Sequence, residues 1–142
     1  MSAVFLDSNV VCYLFGKDPA KAARARELLG EGPVISVQVL SELCNVAQRK
    51  AAMSWSEIET VVDLVEDLCD RVILFGGDTQ ARARAIAAAT GYHIYDAQIL
   101  ASAIEAGCCF VLSEDMQHGH QVTGVFGSVT IRNPFVAVSD VG

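Results

Sequence analysis

The sequence predicts a single α/β domain whose helices wind onto a parallel sheet. Short apolar runs without polar alternation mark the buried strands of such a sheet. The runs are Val4–Leu6, Pro33–Ser36, Val72–Phe75, Cys109–Leu112 and a shorter one, Val129–Ile131. Helical patterns of apolar residues lie between the first four runs, and this alternation is typical of a doubly wound fold. The runs therefore predict four to five strands.

The helical patterns start at residues that commonly cap helices. Asp18-Pro19 starts a helix that stops at Gly30, and Ser54 forms a capping box with Glu57. Asp78 and Asp96 are predicted to cap the two later helices. Residues 116–127, which contain three glycines, are predicted to form a loop.

Composition indicates a compact protein of the cytoplasm. The chain has 142 residues, of which 52% are apolar, and no run is long enough to span a membrane. We expect no membrane partner and no leader segment. Its five cysteines form no C-x-x-C motif, which favours buried reduced thiols over zinc or disulfides.

The net charge of −7 argues against broad electrostatic binding to nucleic acid. The charge is uneven, however, because residues 57–70 contain six of the seventeen acids. A bound divalent cation would also reverse the sign of a local site.

Four acidic residues are expected at one edge of the sheet. Asp7 and Asp115 follow strands directly, and Asp96 opens the helix that leads into the fourth strand. Glu42 lies about one turn into the helix after the second strand, on a polar stripe. Each alone is explained by capping or by a solvated face. Right-handed crossovers, however, bring all four to the carboxyl edge, where open α/β sheets bind ligands.

Clustered carboxylates repel one another unless they are protonated or bind a metal. Their oxygen atoms suit Mg²⁺ or Mn²⁺, which lower the pKa of a water and orient its attack on phosphorus. The pattern therefore predicts metal-dependent phosphodiester hydrolysis. An aspartyl-phosphate phosphatase would need Asp where Asn9 stands, and a receiver domain needs a lysine beyond Lys50. No P-loop and no G-x-G-x-x-G motif is present.

These residues resemble the PIN-domain ribonucleases, and among them the toxins of VapBC-type toxin–antitoxin pairs. The matching segments are Leu6-Asp7-Ser8-Asn9, Ser36 with Ser41-Glu42-Leu43, Tyr95-Asp96-Ala97, Ser113–Gly119 and Ile131–Phe135. The resemblance extends over about residues 3–135 and implies one PIN domain in residues 1–142 with a short C-terminal tail. It implies a three-layer α/β/α fold around a mostly parallel sheet of four to five strands.

The resemblance also implies functional roles. Asp7, Glu42, Asp96 and Asp115 would form the catalytic acidic quartet around Mg²⁺ or Mn²⁺, with Asp7, Asp96 and Asp115 as ligands. Glu42 would bind the metal directly, bind it through water, or assist in activating the nucleophile. Ser8, Asn9 and Ser113 would orient the carboxylates through hydrogen bonds. Glu114 is ambiguous because it adjoins Asp115.

The expected reaction is endonucleolytic cleavage of single-stranded RNA that leaves 5′-phosphate and 3′-hydroxyl ends. The resemblance implies a homodimer and a small cognate antitoxin, for which Leu14, Phe15 and Trp55 are candidate contacts, although core packing explains at least two of them. Candidate RNA contacts are Arg24, Arg49, Arg82 and Arg84, and the three histidines are expected at the surface or in turns. Two alternatives remain: a catalytically silent module that binds RNA or protein, and a PIN nuclease outside any toxin pair.

Overall fold

The computed structural model describes residues 3–124 and 127–136, which form a three-layer α/β/α domain. Its strands are β1 (Val4–Leu6), β2 (Val34–Ser36), β3 (Arg71–Ile73), β4 (Phe110–Leu112), β5 (Gln121–Gly124) and β6 (Gly127–Arg132). Its helices are α1 (Ser8–Val11), a 3₁₀ helix (Cys12–Phe15), α2 (Pro19–Gly30), α3 (Val37–Lys50), α4 (Trp55–Leu68), α5 (Gly77–Thr90) and α6 (Ile94–Glu105). None of the described helices is long and apolar enough to cross a bilayer.

The strands form one sheet in the order β3-β2-β1-β4-β6-β5. All neighbouring strands are parallel except β5, which is antiparallel to β6. The chain passes from β1 outward to β2 and β3 and then returns to β4 on the other side of β1. The crevice between the carboxyl ends of β1 and β4 is therefore a topological switch point, where ligands bind in open α/β sheets.

The mostly parallel α/β fold predicted from sequence is confirmed, but the strand count is six in the described residues. The additional strand, β5, lies within residues 116–127, which were predicted to form a loop. Its four residues alternate in burial and end at Gly124, so they present no continuous apolar run. Pairing with β6 stabilises this segment as an edge strand.

The core forms where α6 packs on the sheet. Phe5, Ile35, Val111 and Ile131 of the central strands are completely buried. Residues 99–104 of α6 are all buried as well, as expected for a helix that is apolar on every side. Helix α5 packs beside α6, whereas α1 to α4 pack with one another to form the other helical layer.

Two of the predicted helix caps are confirmed and two are wrong. Asp18 accepts hydrogen bonds from the first turn of α2, and Ser54 forms its capping box with Glu57. Helix α5 begins earlier than predicted, after Gly76, so that Asp78 lies in its first turn. Helix α6 is capped by His93, whose side chain accepts from the Tyr95 amide, and Asp96 lies in the first turn.

The five cysteines all lie in described residues and form no disulfide. Cys108 is buried and three others are partly buried, whereas Cys109 is exposed. The prediction of buried thiols is thus wrong for Cys109, which lies just before β4.

Candidate active site

A cavity of about 580 Å³ opens at the carboxyl edge of the sheet beside the β1–β4 switch point. The structure brings all four predicted acids to its wall, together with Ser8 and Asn9. Ser113 is completely buried and contacts Asp7. Besides these residues, the lining of the cavity includes Cys12, Tyr13, Asn45, Val46, Lys50, Tyr95 and Glu114.

Asp7 is the most deeply buried of the four acids, with 4% of its surface exposed. Burial raises the pKa of its carboxyl from 3.8 to about 6, although hydrogen bonds from Ser113 and the Ser8 amide lower it. The negative charges of Asp96 and Glu42 raise this pKa further. Asp7 therefore carries its charge at neutral pH only at a cost, which a bound cation would remove.

A hydrogen-bond framework holds the Asp7 carboxylate in place. Its Oδ1 accepts from the Ser8 amide at 2.7 Å, and its Oδ2 accepts from the Ser113 hydroxyl at 2.9 Å. Asn9 donates through Nδ2 to Asp7 Oδ2 at 3.3 Å and to Ser113 Oγ at 3.1 Å. The Asn9 side-chain oxygen accepts from the Glu114 amide at 3.2 Å. Asn9 thereby ties the segment after β4 to the carboxylate after β1.

Glu42 is positioned from α3 by Gln38. The Gln38 amide nitrogen donates to Glu42 Oε1 at 3.2 Å and to the Tyr95 carbonyl at 3.3 Å. Glu42 and Asn45 of the polar stripe of α3 line the cavity, and Gln38 links α3 to the start of α6.

Asp96 and Asp115, which line the same cavity, interact electrostatically. Burial raises the pKa of Asp96, the charges of Asp115 and Glu42 add to this effect, and His93 opposes it. Asp115 is exposed. Burial and the neighbouring acids therefore outweigh the interactions that lower the pKa of Asp7 and of Asp96.

Glu114 is directed away from this group, although it adjoins Asp115. Its carboxylate accepts from Lys21 Nζ at 2.5 Å and from the Tyr13 hydroxyl. Burial opposes ionisation of Glu114, but these two bonds outweigh it and lower the pKa of the carboxyl. The Lys21 ammonium also lies 4.8 Å from the centre of the Tyr13 ring. Lys21 therefore has a specific partner in Glu114.

Several cavity residues were not predicted as site residues, and three of them have side chains of chemical interest: Cys12, Lys50 and Tyr95. Cys12, from the 3₁₀ helix, has its thiol pKa raised to about 12 by burial and then by the charges of Glu42 and Asp7, so it is not a nucleophile at neutral pH. Lys50, at the end of α3, lines the wall, and so does Tyr95, which is 59% exposed. Only the helical stripe of α3 could have indicated Lys50, and only adjacency to Asp96 could have indicated Tyr95.

Other predicted contacts are distributed more widely. Among the four candidate arginines, Arg49 lies beside the cavity, in a cleft it shares with Asn45, Val46 and Lys50. Arg82 pairs with Glu105, Arg24 pairs with Glu27, and Arg84 bonds to Gln80. His118 accepts from the Asn133 amide, and His120 bonds to Tyr92, as expected for residues in turns. Leu14 and Phe15 pack on the core, whereas Trp55 is 58% exposed.

The donor set fits a hard divalent cation, because four carboxylates share one wall and the most buried of them has a raised pKa. Among the described residues, no three His, Cys, Asp or Glu side chains already stand close enough to enclose a metal ion. Mg²⁺ does not require such an enclosure, because it binds through one or two carboxylates and keeps several waters. Asp7 and Asp96 are the candidate ligands, with Asp115 and Glu42 beside them.

Comparisons with known proteins agree with this fold. The family model described as PIN domain matches residues 4–120. A DNA-bound VapBC from Salmonella typhimurium is 20% identical, with a TM-score of 0.67 over 94% of this chain and 99% of that one. A toxin–antitoxin complex from Klebsiella pneumoniae is also 20% identical, with a TM-score of 0.66 over 96% and 100%.

A third similar structure is VapC20 of Mycobacterium tuberculosis, described as a toxin that cleaves the sarcin–ricin loop. It is 18% identical, with a TM-score of 0.64 over 79% of this chain and 89% of that one. At such identities the likeness establishes the fold. The search of curated proteins gave no match.

Proposed function

Because the chain belongs to the PIN domain family, we propose that it is an endoribonuclease that depends on Mg²⁺ or Mn²⁺ and cleaves single-stranded or loop RNA. The observation that carries this proposal is the buried Asp7, with its raised pKa, in a cavity that Glu42, Asp96 and Asp115 also line. Such a group of acids is costly to maintain unless a cation binds there.

The side chains would divide the work by position. Asp7 and Asp96 would hold the cation, with Asp115 completing the site. The cation, when bound, would lower the pKa of a water and neutralise charge on the phosphodiester. Ser8, Asn9 and Ser113 would keep the Asp7 carboxylate in one orientation, which matters because small displacements of reacting groups cost rate. Glu42, held by Gln38, would act as a further ligand or accept a proton from the attacking water.

We further propose that the protein is the toxin of a toxin–antitoxin pair, works in the cytoplasm and forms a homodimer. In support, the similar structures from Salmonella typhimurium and Klebsiella pneumoniae are toxin–antitoxin complexes, and each is covered along nearly its whole length. The cognate antitoxin would be a small protein, and a short gene overlapping or adjoining the gene for this chain would support the pairing.

The two alternatives are a silent binding module and a PIN nuclease outside a toxin pair. Four carboxylates on one wall favour the enzyme, because a module that only binds RNA or protein has no need for mutually repelling acids.

The test is cleavage of a mixed RNA pool with Mg²⁺, with Mn²⁺ and with EDTA, by wild type and by the variants Asp7→Asn and Asp96→Asn. We expect metal-dependent cutting and a loss of at least about 100-fold in each variant, since the metal contributes several kcal/mol and each 1.36 kcal/mol is tenfold in rate. The matched control is Glu27→Gln, which removes an exposed acid that pairs with Arg24. Cutting that persists in EDTA or in both variants would contradict the mechanism.

A further inference from the structure

An exposed aromatic side chain stands directly beside the acidic group. Tyr95 precedes Asp96 in the first turn of α6, lines the same cavity and is 59% exposed. Core packing does not account for a large ring with this exposure. Because the exposed ring lies on the wall of this cavity, it is available to contact a bound ligand.

Hydrogen bonds hold the backbone of Tyr95, and a neighbouring side chain contacts its ring. The His93 ring stacks on it, with 5.3 Å between centroids and 28° between planes. The Tyr95 carbonyl accepts from Gln38, which also bonds to Glu42. The Tyr95 amide donates to His93, the cap of α6. The backbone of Tyr95 is thus positioned beside Asp96 and linked through Gln38 to Glu42, while more than half of the residue's surface remains accessible.

The charges around the cavity explain why such a ring would be useful. Among the described residues that line the wall, Lys50 is the single cation, against five acidic side chains. A strand of RNA therefore gains little from electrostatic contact with this wall. Stacking of a base on an aromatic ring is insensitive to that repulsion, because it involves the uncharged face of the base.

We propose that Tyr95, backed by His93, is a stacking platform for an unpaired base next to the cleaved phosphodiester. This inference rests on the proposed function, because it concerns how the RNA substrate binds in the same cavity. It makes Tyr95 a substrate-binding residue and requires at least one unstacked nucleotide beside the cut, so a fully paired duplex is excluded as a substrate.

The experiment first maps the cut site of wild type in a pool of random single-stranded RNA with Mn²⁺. A short RNA carrying that site is then prepared with its normal bases and with an abasic nucleotide on either side of the cut. Cleavage of each RNA is measured for wild type, Tyr95→Leu, Tyr95→Phe and Trp55→Leu. Trp55 is a matched control because it is 58% exposed and is not among the residues that line the cavity. Circular dichroism confirms that the variants fold.

We expect Tyr95→Leu to raise KM about 10-fold with kcat close to wild type, because one stacking contact is lost. Tyr95→Phe should retain the wild-type KM, and Trp55→Leu should change neither constant. One abasic RNA should raise KM for wild type by a similar factor but have little further effect on Tyr95→Leu, since both changes remove the same contact.

Several results would overturn the proposal. If Tyr95→Leu has the wild-type KM, or if it loses kcat alone, Tyr95 does not bind a base. The same conclusion follows if the abasic RNA raises KM for Tyr95→Leu by as large a factor as it does for wild type. These outcomes leave wild-type cleavage intact and so leave the proposed function standing, whereas a wild-type protein that cuts no RNA in the pool overturns both.

Discussion

Two groups of carboxylates in this protein have opposite surroundings. Among the described residues, four acids form ion pairs with arginine or lysine: Glu27, Asp70, Glu105 and Glu114. In residues 3–124 and 127–136, no ion pair involves Asp7, Glu42, Asp96 or Asp115. Lysine and arginine thus compensate other acids of this chain, whereas among the described residues they form no ion pair with the four acids on the cavity wall. That contrast is what a site for an external cation requires.

The contrast is sharpest at the end of β4, where the two groups meet. Glu114 and Asp115 are adjacent, but Glu114 is engaged by Lys21 and Tyr13, whereas Asp115 interacts with Asp96. Both residues lie in a bend after β4, and the hydrogen bonds from Lys21 and Tyr13 hold the Glu114 side chain toward α2 and the 3₁₀ helix. Two acids of similar chemistry therefore acquire different roles from their neighbours.

The largest expected effect concerns the pH dependence of stability in the metal-free protein. Because folding raises the pKa of Asp7 from 3.8 to about 6, its protonated form stabilises the fold. This contribution is complete below pH 3.8 and is lost as pH rises through about 6. At 1.36 kcal/mol per pKa unit it amounts to about 3 kcal/mol.

Urea unfolding in EDTA between about pH 4 and pH 7 measures this contribution as the difference between wild type and Asp7→Asn. The difference cancels the titration of other groups. We expect wild type to lose stability relative to Asp7→Asn as pH rises. A difference that stays constant across this range would show that Asp7 is not perturbed.

A smaller effect is expected for the hydroxyl that supports Asp7. Ser113→Ala removes the hydrogen bond of 2.9 Å to the carboxylate and should weaken Mn²⁺ binding by about 10- to 100-fold. Isothermal titration calorimetry measures the affinity. The control is Ser102→Ala, because Ser102 is also completely buried but its hydroxyl has no hydrogen-bond partner in the described part of the chain. Equal affinities in the two variants would contradict an orienting role for Ser113.

The smallest effect is expected for Glu114. Its ion pair with Lys21 is partly exposed, so Glu114→Gln should lower the free energy of unfolding by at most about 1 kcal/mol. It should leave Mn²⁺ affinity intact, whereas Asp115→Asn should reduce it. Calorimetric titration of both variants measures this difference. Weaker Mn²⁺ binding by Glu114→Gln and unchanged binding by Asp115→Asn would mean that Glu114 is the metal ligand, and that these two acids are assigned to the wrong groups.

The sequence predicted those features that depend on local pattern. Buried strands such as Val4–Leu6 are continuous apolar runs, and their parallel arrangement is enough to bring Asp7 and Asp115 to one edge. Strand β5 was not predicted because its alternation of buried and exposed residues extends over only four residues and ends at Gly124. Asp96 was predicted as a cap because Asp commonly caps helices. The cap is instead His93, a less common capping residue, whose side chain accepts from the Tyr95 amide.

Long-range contacts were beyond prediction from one sequence. The Lys21–Glu114 pair joins residues 93 positions apart, and the Asn9–Ser113 bond joins residues 104 apart. Nothing in the local sequence around Lys21 distinguishes a paired lysine from a solvated one. The Gln38–Glu42 bond, in contrast, spans four residues of one helix and was visible as a polar stripe.

The most direct test of the division between the two groups is calorimetric titration of Mn²⁺ into wild type, Asp7→Asn and Glu27→Gln at neutral pH. We expect wild type and Glu27→Gln to bind Mn²⁺ with the same affinity and Asp7→Asn to bind it at least about 10-fold more weakly. Equal binding in all three proteins, or no binding in wild type, would contradict the assignment of the cavity carboxylates as a metal site.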